Sequence, residues 1–165
     1  MMKIKSPTSA LPQPRLRLDD QLCFALYAAT NLVTRAYRPL LEPLGLTYSQ
    51  YLVMMALWQH GTQKMSLIAE RLHLEGNAIT PLVDRLETAG LVRRRRDAGD
   101  RRIIQIELTT EGDALEAAAS VVQNSIVCRT ELEPDALAEL REALQVLVHR
   151  MEPALVCAQQ EDRSR

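Results

Sequence analysis

Cys23, Tyr27, Thr30, Thr34 and Tyr37 fall on one side of a helix if the segment around them winds at about 100° per residue. That stripe holds a thiol, two hydroxyls and two phenols, where a helix that only packs a core would carry Leu and Ile. A thiol becomes a nucleophile or a metal ligand as its thiolate, which the N-terminal end of a helix favours. The chain has three cysteines, an odd number, and no CxxC or Cys/His spacing suited to zinc. His60, His73 and His149 share no metal-ligand spacing either, so no metal or cofactor is expected. Redox chemistry at Cys23 is what remains, against the plainer reading of a small buried hydrophobe with tyrosines that merely pack.

The bulk composition narrows the setting. At 165 residues the chain suits one domain, or one domain with an oligomerisation appendage. Apolar content is 47%, and a single Phe and a single Trp imply an aliphatic core. The net charge of −1 excludes a general polycation, so any nucleic-acid binding must come from local clustering. No apolar run approaches the roughly 18 residues of a membrane span, and no apolar stretch follows Lys3 and Lys5 as a secretory signal requires. A reducing cytoplasm, without membrane contact, is the expected location.

The segments around this stripe can be read in order. Residues 1–18, with Pro7, Pro12 and Pro14, read as a flexible arm. Asp19 or Asp20 is expected to cap a helix ending near Arg38, where Pro39 stops it; Pro43-Leu44-Gly45 is a corner. Thr47-Tyr48-Ser49-Gln50 is a capping box opening a helix to His60, closed by Gly61. Ser66 is expected to cap a short helix over 67–72. Another spans about 77–89, closed by Gly90, with Pro81 in its first turn. Two β-suited runs, 91–95 and 102–108, flank the turn Asp97-Ala98-Gly99-Asp100. Thr109 to Gly112 opens a long helix to about Thr130, and Pro134 starts a last one with Leu137, Leu140, Leu144, Leu147, Val148 and Met151 at helical period. The fold class is mainly α with a small β-hairpin wing, a winged helix-turn-helix. Its segments are the arm 1–18, a dimerisation helix and corner 19–46, a DNA-binding domain 47–110, dimerisation helices 111–160 and a tail 161–165.

On the helix 77–89, Ala78, Ile79, Leu82, Val83, Leu86 and Ala89 form an apolar half, and Asn77, Thr80, Pro81, Asp84, Arg85 and Thr88 a polar one. A short polar-faced helix placed second in a helix-turn-helix suits a major-groove reader. Alone it is any solvated amphipathic helix. The hairpin after it changes the balance: Arg93, Arg94, Arg95, Arg96, Arg101 and Arg102 against Asp97 and Asp100 leave +4 on residues 93–102. Arginines in such a turn can contact phosphates and enter the narrow minor groove.

Asp100-Arg101-Arg102 followed by Leu108-Thr109-Thr110-Glu111-Gly112 resembles the wing signature of the MarR family, DxR…LTxxG. Together with Leu67-Ile68-Ala69-Glu70-Arg71-Leu72 and the run Leu82 to Leu91, the resemblance covers most of residues 20–130. It implies a homodimer on a pseudo-palindromic double-stranded operator, with Arg102 in the minor groove and Asp100 orienting it. It also implies that the N- and C-terminal helices interlock as the dimerisation region.

Within the family, Leu22 to Tyr27, Tyr37 to Leu41 and Leu46 to Leu52 resemble the organic hydroperoxide-sensing (OhrR) branch. That resemblance makes Cys23 the peroxide-reactive thiol, with Tyr37 and Tyr48 as phenol partners and Tyr27 fitting the pattern. Organic hydroperoxides are then the inducer. It also makes Cys128 the resolving thiol of the two-cysteine subtype, forming an intersubunit disulfide with Cys23. Cys157 has no motif around it and reads as a bystander. Geometry adds a constraint: Cys23 and Tyr37 are 14 residues apart, about 21 Å along one straight helix at 1.5 Å per residue. Phenols serving Cys23 would have to come from a second subunit.

Three other readings compete. A MarR regulator could be released by a small phenolic ligand in the dimer cleft, with Cys23 only lining it. A thiol peroxidase would also consume peroxide, but a wing has no use in an enzyme. An activator of the same family shares every motif with a repressor.

Overall fold

Capping and periodicity resolve into six α-helices and three short strands in a computed structural model, which describes residues 16–97 and 99–162, with side chains through Glu152. The helices are α1 (Leu22–Leu41), α2 (Tyr48–His60), α3 (Met65–Arg71), α4 (Gly76–Thr88), α5 (Thr110–Arg129) and α6 (Pro134–Asp162). The strands are β1 (Gln63–Lys64), β2 (Val92–Arg96) and β3 (Ile104–Leu108). Residues up to Val122 form one compact unit and those from Gln123 a second, the division falling inside α5. Most of the expected arm, residues 1–15, and the tail from 163 lie outside the described residues.

The mainly α winged-helix architecture stands as expected, with four local corrections. Asp19 and Asp20 sit in a 3-10 turn, Leu18–Asp20, and the residue before α1 is Gln21, whose side chain caps nothing. Pro39 does not stop α1; it lies inside the helix, which runs on to Leu41. Proline already has a helical φ, and what α1 forgoes is the one bond from residue 39 to the Arg35 carbonyl. Ser66 is the second residue of α3 rather than its cap, the flanking residue being Lys64. Lys64 belongs to β1, which pairs antiparallel with β3 through Gln63↔Ile106 and Lys64↔Gln105, so the wing is a three-stranded sheet of order β1-β3-β2.

Other elements follow their local signals. The Thr47 side chain accepts from the Gln50 amide while the Gln50 side chain accepts from the Thr47 amide at 2.8 Å, a full capping box that fixes where α2 starts. In the first unit the core gathers Leu41, Tyr51, Met54, Leu57, Ile68, Ile79, Val83, Leu86, Val92 and Ile106, each at most 2% exposed. Each such side chain contributes about 1.5–3 kcal/mol through burial. In the second unit the outcome differs: Leu140, Leu144, Val148 and Met151, all on the apolar stripe of α6, remain 37–51% exposed.

Candidate thiol site and nucleic-acid interface

The helix α1 is unbroken from Leu22 to Leu41 and carries the whole stripe. Cys23 is its second residue, exposed and with a free thiol. Tyr27, one turn on, is 66% exposed. Thr34 turns its hydroxyl back to the Thr30 carbonyl at 2.7 Å. At the far end Tyr37 is half-buried, with its ring 4.9 Å from that of Tyr48 and 5.8 Å from that of Tyr51; Tyr51 in turn stands 6.3 Å from Trp58. Tyr48 owes its place to the capping box, being the first residue of α2.

Burial pushes the Tyr37 phenol up to about 12, helped by the neighbouring Tyr51 and Tyr48, and burial raises Tyr48 as well. Both therefore stay protonated at neutral pH as hydrogen-bond donors. The structure thus brings Tyr37 and Tyr48 together, adds Tyr51, and leaves Cys23 and Tyr27 toward the opposite end of α1. Tyr51 sits three residues beyond Tyr48, a spacing that puts both on one helix face. Cys128 lies in the last turn of α5, exposed and free. Cys157 falls on α6 with its side chain outside the described residues. Among the described residues no group of His, Cys, Asp and Glu is arranged to hold a metal ion.

The DNA-facing candidates sit on α4 and the wing. Ile79, Val83 and Leu86 bury one face of α4, while Asn77, Thr80, Pro81 and Arg85 are exposed on the other. Because α4 starts at Gly76, Pro81 is its sixth residue and lies in the second turn, not the first. It takes the donor from the Asn77 carbonyl at an exposed position, where water can substitute.

The arginines divide by partner. Arg94 reaches back to α4, bonding Asp84 at 2.6 Å and Glu87 at 2.7 Å, and its amide donates to Glu87 at 2.9 Å. Arg93 and Arg95 both pair with Glu107 of β3. Arg102 meets Asp100 through Nε at 3.1 Å and Nη2 at 3.0 Å, and its amide donates to the same carboxylate at 3.0 Å. Those bonds hold the Asp100 carboxyl below its usual range, and the Arg102 side chain is still 90% exposed. Arg96 and Arg101 have no ion pair among the described residues. Asp97 shapes the turn by accepting from the amides of Gly99 and Asp100 and from Gln105. Sequence reasoning grouped the six arginines together; the carboxylates that claim Arg93, Arg94 and Arg95 lie on α4 and β3, whereas Asp100, which holds Arg102, lies in the turn itself.

The start of α5 ties the wing to the helices. Thr109 accepts from the Gly112 amide at 3.0 Å and donates to the Gly90 carbonyl at 2.6 Å. Gly112 presses so closely on Leu91 that a Cβ would lie 1.9 Å from its carbonyl oxygen, and the Gly112 carbonyl accepts from the Trp58 indole at 2.9 Å. The threonine and glycine of LTxxG are thereby explained physically: one caps the helix, the other permits the close approach.

Comparison with known proteins agrees with this geometry. Residues 46–104 match the model of the MarR family. The organic hydroperoxide resistance transcriptional regulator of Bacillus subtilis is 35% identical over 136 residues, 82% of this chain and 92% of that one. AbfR of Staphylococcus epidermidis is a structural neighbour. Its reduced form bound to DNA superposes with a TM-score of 0.69 at 34% identity, covering 82% of this chain and 94% of that one. Its disulfide form gives 0.59 at 36%, covering 80% and 93%. The Bacillus relative is a transcriptional regulator, and no helix among the described residues here is long and apolar enough to cross a membrane. The chain belongs to the MarR family of winged-helix transcriptional regulators.

Proposed function

We propose that the chain is a homodimeric repressor that releases its operator when an organic hydroperoxide oxidises Cys23. The observation that carries this reading is the Tyr37–Tyr48 pair, two phenols held protonated by burial at the end of α1 opposite the exposed thiol. With Cys23 about 21 Å from Tyr37 along an unbroken helix, the thiol of one subunit meets the phenols of the other when the first helices cross roughly antiparallel. Each phenol then donates to the thiolate. Exposed Leu16, Leu18, Leu22, Leu32 and Val33 at the start of the chain, and the exposed stripe of α6, are the apolar surface such a dimer covers.

The thiolate of Cys23 attacks one peroxide oxygen; the O–O bond breaks, the alkoxide takes a proton to leave as alcohol, and Cys23 becomes a sulfenic acid. The thiol of Cys128 from the second subunit then attacks the sulfenic sulfur, forming a disulfide and releasing water. Cα atoms must come within about 7 Å for that bond, and the helix movement needed respaces the two copies of α4. Before oxidation, Asn77, Thr80, Pro81 and Arg85 face the major groove, Arg102 enters the minor groove from Asp100, and Arg93, Arg95, Arg96 and Arg101 lie along phosphates. Arg94 serves by holding the wing to α4. The Bacillus relative is an organic hydroperoxide resistance regulator, and AbfR has both a DNA-bound reduced form and a disulfide form, which supports the redox step here.

The test is a mobility shift paired with a non-reducing gel after organic hydroperoxide. Wild type is expected to leave DNA and to run as a covalent dimer. Cys23→Ser should do neither, and Cys128→Ser should form no covalent dimer. Release of DNA by peroxide in Cys23→Ser would sink the proposal, and a covalent dimer of Cys128→Ser would remove Cys128 from it.

A further inference from the structure

Strand β3 alternates its side chains between the two faces of the wing. Ile104 and Ile106 turn to one face, where Ile106 is fully buried, and Gln105 and Glu107 turn to the other. Glu107 there pairs with Arg93 and Arg95. Gln105 instead reaches across the turn: its side-chain amide donates to the Asp97 carboxylate, eight residues back. The strand ladder has ended by then, its last pair being Arg96↔Ile104. Past it, the Asp97 amide donates to the Ile103 carbonyl at 3.0 Å and the Ile103 amide to the Asp100 carbonyl at 2.9 Å.

Asp97 is where turn and strand meet. One of its oxygens accepts from the amides of Gly99 at 2.9 Å and Asp100 at 3.3 Å, and Gln105 holds the other. Among the described residues, this is the side-chain hydrogen bond that joins β3 to the turn. The two turn amides, with Gln105 and Lys64 adding to them, hold the Asp97 carboxyl below its usual range. It is therefore ionised at neutral pH, and bonds to an ionised acceptor are the strong ones. Asp100, placed by that turn, grips Arg102 through three bonds of 3.0–3.1 Å. At 90% exposure, packing does little to direct the Arg102 side chain, so its aim follows the turn. A long side chain aimed in advance loses less freedom when it binds.

We propose that Gln105 is a positioning residue for DNA reading: acting through Asp97, it sets the angle of the wing turn and so aims Arg102. This rests on the reading above in which Arg102 enters the minor groove, and adds a residue that works without touching DNA.

The experiment measures operator affinity of the full-length protein for wild type, Gln105→Met, Arg102→Ala and the double variant. Methionine keeps the length of the side chain and removes its amide, while the backbone pairing of β3 is untouched. Gln105→Met is expected to weaken binding about fivefold, as loss of one bond to a charged group allows. In the Arg102→Ala background the same substitution should change affinity by less than about 1.5-fold, because the side chain it aims is gone. A Gln105 that only stabilised the fold would cost the same in both backgrounds. Gln105→Thr, suited to a strand but too short to reach Asp97, should reproduce the result and guards against a folding defect in one variant. Wild-type affinity in both Gln105 variants, or equal losses with and without Arg102, would overturn the proposal and leave the Arg102 reading standing. An Arg102→Ala chain that binds the operator like wild type would refute that reading, and the proposal with it.

Discussion

The rings of Tyr37 and Tyr48 lie 4.9 Å apart at a tilt of 46°, which joins the helix bearing the thiol to the first helix of the DNA-binding unit. Tyr51 and Trp58 extend the contact along α2, and the Trp58 indole ends it on the Gly112 carbonyl at the wing base. A change at the phenols is therefore a change in how α1 sits on α2.

Removing either phenol oxygen is expected to slow the reaction without unfolding the chain. Tyr37→Phe and Tyr48→Phe keep the ring contact and each delete one donor, so the second-order rate of Cys23 with cumene hydroperoxide should fall about tenfold apiece. Because the rings touch, the double variant should differ from the product of the single effects. Stopped-flow rates on the four proteins test this. Rates within twofold of wild type would mean that the tyrosines only pack.

Tyr37 also sets an alkaline limit. Its phenol ionises near 12 in the fold against a reference of 10.0, so in that interval the folded chain holds a proton that the unfolded chain has lost. The contribution is whole below pH 10 and drains away as pH rises through the folded value. Chemical denaturation at pH 9, 10, 11 and 12 should show stability falling across that window, less steeply in Tyr37→Phe. An equal slope in both proteins would contradict the assignment to Tyr37.

The wing arginines should separate into two groups. Arg94→Ala leaves Asp84 and Glu87 without their partner, so stability should fall by about 1–3 kcal/mol and operator affinity with it. Arg96→Ala and Arg101→Ala remove charges with no ion pair among the described residues, so stability should stay within about 0.5 kcal/mol. Each phosphate deprived of its arginine should flatten the slope of log affinity against log salt by about 0.9. Titrations at three salt concentrations distinguish these outcomes; an Arg94→Ala protein as stable as wild type would show that its bonds to α4 contribute nothing.

What the sequence disclosed was mostly what is local. The Thr47–Gln50 box closes within four residues, and α2 begins where it says. The Asp97-to-Asp100 turn likewise carries its own hydrogen bonds. What it withheld depends on partners far along the chain. Strand β1 is two residues long and exists only because β3 lies beside it, so no period marks it. The carboxylates that claim Arg94 and Arg93 are 7 to 14 residues away on other elements, and a run of arginines reads as uniform until they are placed. Tyr51, 2% exposed, is marked out only by its ring contact with Tyr37 on another helix. Pro39 misled because a proline that forgoes one bond to the Arg35 carbonyl strains a helix without having to end it, and α1 runs on to Leu41.

Gly112 gives the sharpest mutational test of the link between wing and helices. A Cβ there would meet the Leu91 carbonyl oxygen at 1.9 Å and its carbon at 2.9 Å, both backbone atoms that cannot rotate away. Either the first turn of α5 or the base of β2 must shift, which strains the Thr109 bond to Gly90 and the Trp58 bond to Gly112. Gly112→Ala is thus expected to cost roughly 2–4 kcal/mol, lowering Tm by about 5–10 °C, and to weaken operator binding through a displaced wing. Gly45→Ala is the control: its φ of +68° resists a side chain, but nothing lies within 4 Å of the added carbon, so about 1 kcal/mol is expected and DNA binding should persist. Calorimetry and a mobility shift on both variants decide it, and a Gly112→Ala chain that melts with wild type would show that α5 and the wing are not pressed together here.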